Sequence, residues 1–68
     1  MEFTLSSEYI ELIKLLKLMG VAESGAHAKE LVEEGEVFVN GYEELRKRRK
    51  LRSGDIISCL GEEIRVTA

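Results

Sequence analysis

Apolar residues at helical spacing dominate the first part of the chain. They are Tyr9, Leu12, Ile13, Leu16 and Met19, with Ile10 and Leu15 widening the same face. This pattern predicts an amphipathic helix over residues 8–19. Ser7 is its predicted N-cap and Gly20 its predicted stop.

A second helix is predicted to begin at Ser24, the next residue that caps helices well, and to run to about residue 34. Ala28, Leu31 and Val32 supply its apolar stripe, and Gly35 is its predicted stop. Because the linker between the two helices is short, they are expected to pack against each other as a helix-turn-helix-like pair.

After the second helix the apolar period changes to two. Val37 and Val39 are predicted to face one side of a strand and Phe38 the other. Asn40-Gly41 follows and is the strongest short signal for a hairpin turn, because both residue types accept positive φ. This segment therefore predicts a β-hairpin.

Residues 55–60 and 63–67 are predicted as two further strands, joined by a tight turn at Gly61-Glu62. The order of elements predicts an α+β fold, with the helix pair packed on a small antiparallel sheet. A chain of 68 residues has room for one small domain, so residues 1–68 are expected to form a single unit.

A dense basic block lies within this acidic chain. The formal net charge is −3, and residues 1–40 hold three lysines against eight glutamates. Six cations nevertheless fall within residues 46–52, namely Arg46, Lys47, Arg48, Arg49, Lys50 and Arg52. A polyanion within a Debye length of about 8–10 Å would respond to this local charge. The alternative is a solvated loop, or one partly neutralised by Glu33, Glu34 and Glu36.

The remaining residue types favour a non-catalytic protein. Cys59 is the only cysteine, which excludes a disulfide within the chain and a Cys-rich zinc site. It is expected to be a small core residue. The lack of disulfides predicts a reducing, cytoplasmic setting. His27 is distant in sequence and has no third group to orient it toward Cys59. We expect no catalytic residues, metal ligands or cofactor. No stretch approaches the roughly 20 apolar residues of a membrane span.

The spacing of several motifs resembles one known family. Residues 24–41, SGAHAKELVEEGEVFVNG, look like the core motif of the S-four RNA-binding domain, named after small-subunit ribosomal protein four. The similarity continues through the basic block to Gly54-Asp55 and covers roughly residues 8–60. Leu16-Lys17-Leu18 is similar to a motif in the small stand-alone bacterial members of the family.

The resemblance implies a fold, called the alpha-L motif, and a function. Family members bind structured RNA, so ribosomal or transfer RNA is the expected partner. A ribosomal subunit or an RNA-modifying enzyme would be a further partner, and the chain is expected to be a monomer. One residue departs from the family pattern: many members carry an RNA-contacting Arg directly after the Ser, where this chain has Gly25.

The resemblance also ranks the candidate binding residues. Arg46 and Lys50 are the first candidates, and Lys47, Arg48, Arg49 and Arg52 follow on charge alone. Arg presents a planar fork that binds phosphate bidentately, whereas Lys acts as a point charge. Asn40 joins the candidates as part of the shared motif.

A second contact is predicted at the start of the second helix, where Ser24, Gly25 and free backbone N–H groups could bind an anion, with Lys29 about one turn further along. Ordinary capping and helix packing explain these residues nearly as well.

Lys17 is either a phosphate contact or a solvated residue. Phe38 either stacks on a base or, by our preference, packs beneath a loop; Tyr42 is equally ambiguous.

Two functions therefore compete on the sequence. The first is a module that binds structured RNA by shape and backbone contacts. The second is a protein-interaction adaptor that docks an acidic partner in a ribosome-associated complex. A partner that stays bound after nuclease treatment would indicate the adaptor.

Overall fold

The computed structural model describes residues 1–68 and contains two helices and seven short strands. In chain order they are β1 (Glu2–Thr4), β2 (Ile10–Glu11), α1 (Leu12–Leu18), α2 (Gly25–Glu33), β3 (Val37–Val39), β4 (Tyr42–Glu43), β5 (Lys50–Leu51), β6 (Ile56–Cys59) and β7 (Glu62–Thr67). Neither helix has the length and apolar composition that a membrane-spanning segment requires.

The first helix begins later than its periodicity predicts. Ser7 is not its cap, because the Ser7 hydroxyl donates to the carbonyl of Tyr9 at 3.0 Å. Ile10 and Glu11 instead form β2, which pairs antiparallel with β5. The predicted start at residue 8 is therefore wrong, because a strand partner far along the chain holds these residues in an extended conformation.

The second helix begins and ends where the sequence predicts. The Ser24 hydroxyl accepts the backbone N–H of His27 at 3.0 Å, and the Nδ1 of His27 accepts the backbone N–H of Glu23 at 3.0 Å. The first bond satisfies one of the backbone donors that a helix start leaves open, and the second satisfies the backbone N–H of the residue before the cap. At the other end Gly35 has a φ of +76°, which glycine adopts without strain.

Five strands form one sheet in the order β1-β7-β6-β3-β4. The β3–β4 hairpin turns at Asn40 and Gly41, which have φ values of 53° and 85°, as the sequence predicts. The β6–β7 turn lies one residue earlier than predicted, at Leu60 and Gly61. The predicted α+β fold is confirmed. The sequence analysis missed β1, which pairs parallel with β7, so this sheet is mixed rather than wholly antiparallel.

The core lies between the helix pair and one face of this sheet. It is a single cluster of 15 buried residues, which includes Leu12, Leu15, Leu16, Ala28, Leu31 and Val32 from the helices and Val37, Val39, Ile57, Ile64 and Val66 from the sheet. Cys59 is buried there, as predicted. Burial, and to a lesser degree the charge of Glu36, raises the pKa of the Cys59 thiol, which keeps it protonated and unreactive.

Candidate nucleic-acid interface

The basic loop, residues 46–52, is fixed to the domain along much of its length. Its end is the strand β5, in which Leu51 is fully buried and pairs with Ile10. Its backbone also caps α1, because the carbonyls of Arg49 and Lys47 accept the N–H groups of Leu12 at 2.9 Å and Ile13 at 3.2 Å. The cations are therefore displayed on an ordered backbone, part loop and part strand, rather than on a solvated loop throughout.

A buried carboxylate shapes the first half of the basic loop. The side chain of Glu44 is only 7% exposed and accepts four hydrogen bonds. Its Oε2 accepts the backbone N–H of Arg46 at 2.9 Å and the Arg46 Nε at 3.0 Å. Its Oε1 accepts Nη2 of Arg46 at 3.0 Å and Nη1 of Arg49 at 2.8 Å. Both carboxylate oxygens are satisfied, which burial of a charge requires.

These bonds keep Glu44 ionised. The hydrogen bond from the Arg46 side chain, followed by those from Arg49 and the Arg46 backbone, lowers the pKa of Glu44 to about 2 against the opposing effect of burial. Glu44 in turn raises the pKa of Arg46. The Arg46 side chain remains 73% exposed, so this guanidinium is both oriented by the protein and open to solvent.

Two further cations pair with acids at the surface. Lys47 Nζ lies 3.0 Å from Glu33 Oε2, and Arg48 Nε lies 3.3 Å from Glu11 Oε2. Surface ion pairs of this kind contribute about 0–1 kcal/mol, so a phosphate could replace the carboxylate. Glu33 therefore neutralises part of the charge of the basic loop, as the sequence alternative expects, but it pairs with only one of the six cations, Lys47. Arg48 is 77% exposed at its side chain.

The last two cations of the basic loop lie over an aromatic ring. Lys50 Nζ is 4.9 Å and Arg52 Cζ is 5.7 Å from the ring centroid of Tyr9. Cation–π contacts at exposed sites contribute about 0.5–1 kcal/mol, enough to favour one placement of a long side chain. Tyr9 precedes α1 and is partly exposed, so it is a surface residue beside the basic loop rather than a member of the predicted helix.

The start of α2 connects to the basic loop along one helix face. Gly25, Lys29 and Glu33 are spaced four residues apart, so they follow the same side of α2 toward the ion pair of Glu33 with Lys47. Lys29 is exposed, and a Cβ at Gly25 would meet no atom within 4 Å. The Ser24 hydroxyl is already engaged in capping, which leaves backbone N–H groups and Lys29 as the available contacts.

Lys17 and Asn40 have different surroundings. Lys17 is exposed in the last turn of α1, whereas the basic loop contacts the first turn of that helix. The Asn40 side chain donates to Asp55 Oδ1 at 3.0 Å and accepts the backbone N–H of Ile56 at 2.9 Å. Asp55 also accepts the backbone N–H of Arg52 at 2.8 Å. Asn40 therefore links the hairpin to the end of the basic loop.

Sequence reasoning missed Glu44 and misplaced Tyr9. The sequence did contain a signal for Glu44, since an acid two residues before a dense basic block is a candidate for an ion pair with it. Phe38, expected to pack beneath a loop, is instead exposed, as is Tyr42. No group of three or more His, Cys, Asp or Glu side chains is positioned to hold a metal ion.

The helix pair, hairpin turn and basic loop together define the class of protein. A family model described as the S4 domain matches residues 3–67, and the chain belongs to this family. The solution structure of YbcJ from E. coli has the same fold, with a TM-score of 0.76 and 44% sequence identity over 98% of this chain and 86% of that one. That structure is described as revealing an alpha-L motif involved in RNA binding.

Two relatives show similarity along most of their length. One is "Putative RNA-binding protein YbcJ" of Escherichia coli (strain K12), 47% identical over 60 residues, which are 88% of this chain and 86% of the relative. The other is "Probable ribosome maturation protein RlbA" of Bacillus subtilis (strain 168), 40% identical over 58 residues, which are 85% of this chain and 82% of the relative.

Proposed function

We propose that this protein is a single-domain, monomeric and non-catalytic module that binds structured RNA. The basic loop is the main contact, and the start of α2 with Lys29 is the second. The observation that carries the proposal is the buried Glu44 carboxylate, which holds the Arg46 guanidinium in one exposed orientation within a chain that is acidic overall. A guanidinium that is oriented by the protein and open to solvent is suited to bidentate binding of a phosphate.

The contacts would read the RNA backbone and its shape. Arg46 and Arg48 present guanidinium forks suited to bidentate phosphate contacts, while Lys50 and Lys47 would act as point charges. Arg49 is less exposed and bonded to Glu44, so its role would be to position the loop. Asn40 would likewise act by positioning Arg52, and Lys17 would be a peripheral contact at the far end of α1.

Ribosomal RNA is our first choice of ligand, ahead of transfer RNA. This choice follows the names of two relatives, one for ribosome maturation and the other for RNA binding. A structured RNA also suits a rigid basic surface, because a fixed array of cations complements a fixed array of phosphates. We propose a cytoplasmic location on the same basis.

A pair of charge-reversed variants tests this function. Arg48→Glu removes an exposed cation of the basic loop, and Arg65→Glu makes the same charge change on the exposed side of β7. Binding to ribosomal and transfer RNA fragments should weaken by roughly five- to tenfold for Arg48→Glu and stay close to the original for Arg65→Glu. Arg46 and Arg49 are avoided because the loss of either side chain would remove hydrogen bonds from the buried Glu44 carboxylate.

Three results would contradict the proposal. The first is that the unaltered protein binds neither RNA, and the second is that the two variants weaken binding equally. The third is that an acidic protein stays bound to the basic loop after nuclease treatment. Equal weakening would mean that net charge alone governs binding. Nuclease-resistant capture of an acidic protein through the basic loop would favour the adaptor function instead.

A further inference from the structure

An open groove lies directly beside the basic loop. It has a volume of about 530 Å³ and runs between the segment that follows β1 and the first helix. Its apolar walls include Phe3, Leu5 and Leu18, and the Tyr9 ring forms part of its lining. It is the one pocket of the domain, and the binding contacts described above do not use it.

The lining combines two kinds of chemistry. Alongside the apolar walls stand Ser6 and Lys14, whose side chains make no hydrogen bond or ion pair within the protein. Flat apolar surfaces with a few free polar groups suit an aromatic heterocycle, which stacks through its faces and hydrogen-bonds through its edge. A nucleobase has both properties.

Two residues that line the groove also contact the basic loop. Tyr9 lines the groove, and Lys50 Nζ and Arg52 Cζ lie 4.9 and 5.7 Å from the centroid of its ring. Glu11 also lines the groove and pairs with Arg48 at 3.3 Å. The rim of the groove is therefore cationic on the side where an RNA backbone would lie.

We propose that this groove binds one unpaired nucleotide of the RNA whose phosphates lie on the basic loop. The proposal rests on the function proposed above. It adds a preference among structured RNAs for those with an extruded base. The cationic rim favours this occupant over an apolar side chain of a protein, because the phosphates next to an extruded base would meet Arg48, Lys50 and Arg52. Base contacts of this kind require unpaired nucleotides, since the bases of an RNA duplex are stacked inside it.

The test compares two RNA hairpins that differ by one bulged nucleotide in the stem. The unaltered protein should bind the bulged hairpin roughly tenfold more tightly, the gain expected from stacking one base. Two variants disrupt the groove in different ways: Leu18→Gln removes an apolar wall, and Ser6→Trp fills the space. Both should lose the preference for the bulge while they keep the affinity for the fully paired hairpin.

A matched control separates the groove from general surface effects. Leu60 is 55% exposed, close to the 58% of Leu18, and lies outside the groove in the β6–β7 turn. Leu60→Gln should keep the full preference for the bulged hairpin. In NMR spectra, the bulged hairpin should shift the Leu18 methyl and Tyr9 ring signals beyond the shifts that the paired hairpin causes.

The outcomes distinguish this proposal from the proposed function. If the unaltered protein binds neither hairpin, the RNA-binding function itself fails. If it binds both equally, or if the groove variants keep the preference, the function stands and the groove does not hold a base. If Leu60→Gln abolishes the preference as Leu18→Gln does, the effect is not specific to the groove and the proposal is overturned.

Discussion

Glu44 is the residue on which the shape of the basic loop depends most directly. It accepts two bonds from the Arg46 side chain, one from the Arg46 backbone and one from Arg49. Removing one partner of a buried charge costs more than the pair contributes, because the remaining charge loses its solvation without compensation. Arg46 therefore combines two roles, since the same guanidinium orients the loop and presents donors to solvent.

The pKa of Glu44 predicts how the stability of the domain varies with pH. Its folded-state pKa of about 2 lies below the ordinary value of 4.5, so the stability it contributes is fully present above pH 4.5. That contribution should be lost as the pH falls from 4.5 toward 2. Glu44→Gln removes the titrating group while it keeps the shape of the side chain.

Urea unfolding at several pH values measures this effect. At pH 7 the unaltered protein should be more stable than Glu44→Gln by about 1–3 kcal/mol, the range for a buried hydrogen-bonded charge. The difference should shrink steadily below pH 4.5. Glu43→Gln, a change at the exposed neighbouring residue, serves as the control and should show no such convergence. A difference that stays constant from pH 7 to pH 2.5 would contradict the assignment.

At the scale of elements, local signals predicted some structures and distant partners decided others. The Ser24 cap and the Asn40-Gly41 turn depend on residues next to them, and both were predicted correctly. The extended conformation of Ile10 depends on Leu51, and that of Phe3 on Val66. Patterns within a short window of sequence contain no information about such pairings, so β1, β2 and β5 were missed.

The same division applies to the candidate site. The basic loop was visible in the sequence because its charge is concentrated within a few consecutive residues. The contacts of Glu44, Tyr9 and Glu11 were not visible, because they depend on how the chain folds back. The sequence therefore indicated which cations are available, and the structure shows which of them are held in place.

The start of α2 offers a test by gain of function. Gly25 occupies the position where the family resemblance implies an Arg. Its φ lies outside the positive range, and a Cβ there would meet no atom within 4 Å. Gly25→Arg should therefore fit without strain and add a cation on the face that carries Lys29. RNA affinity should rise several-fold, and the dependence on salt should steepen by about one unit of slope.

Gly25→Gln is the matched control for this gain. It has a long side chain without charge, and both variants should raise stability by up to about 1 kcal/mol because glycine is a poor helix former. Only Gly25→Arg should raise RNA affinity. Equal affinities for the two variants, measured in the same titration, would show that the start of α2 is not a contact.

At the scale of the whole molecule, opposite charges are separated along the chain. The net charge of −3 contrasts with the six cations in residues 46–52. Even there, three acids are engaged with the loop: Glu44, Glu33 and Glu11. A polyanion would be attracted to one region and repelled by much of the remaining surface, so charge separation would fix its orientation before close contacts form.

The dependence of RNA affinity on salt concentration measures how many cations of the protein neutralise phosphates. If the protein neutralises about four phosphates, the logarithm of the affinity should fall against the logarithm of salt concentration with a slope near −3. Lys50→Gln removes one charge of the basic loop and should reduce the magnitude of that slope by about one. Arg65→Gln removes one charge from the sheet and should leave the slope unchanged. A slope near zero, or the same reduction for both variants, would mean that the basic loop is not where phosphates bind.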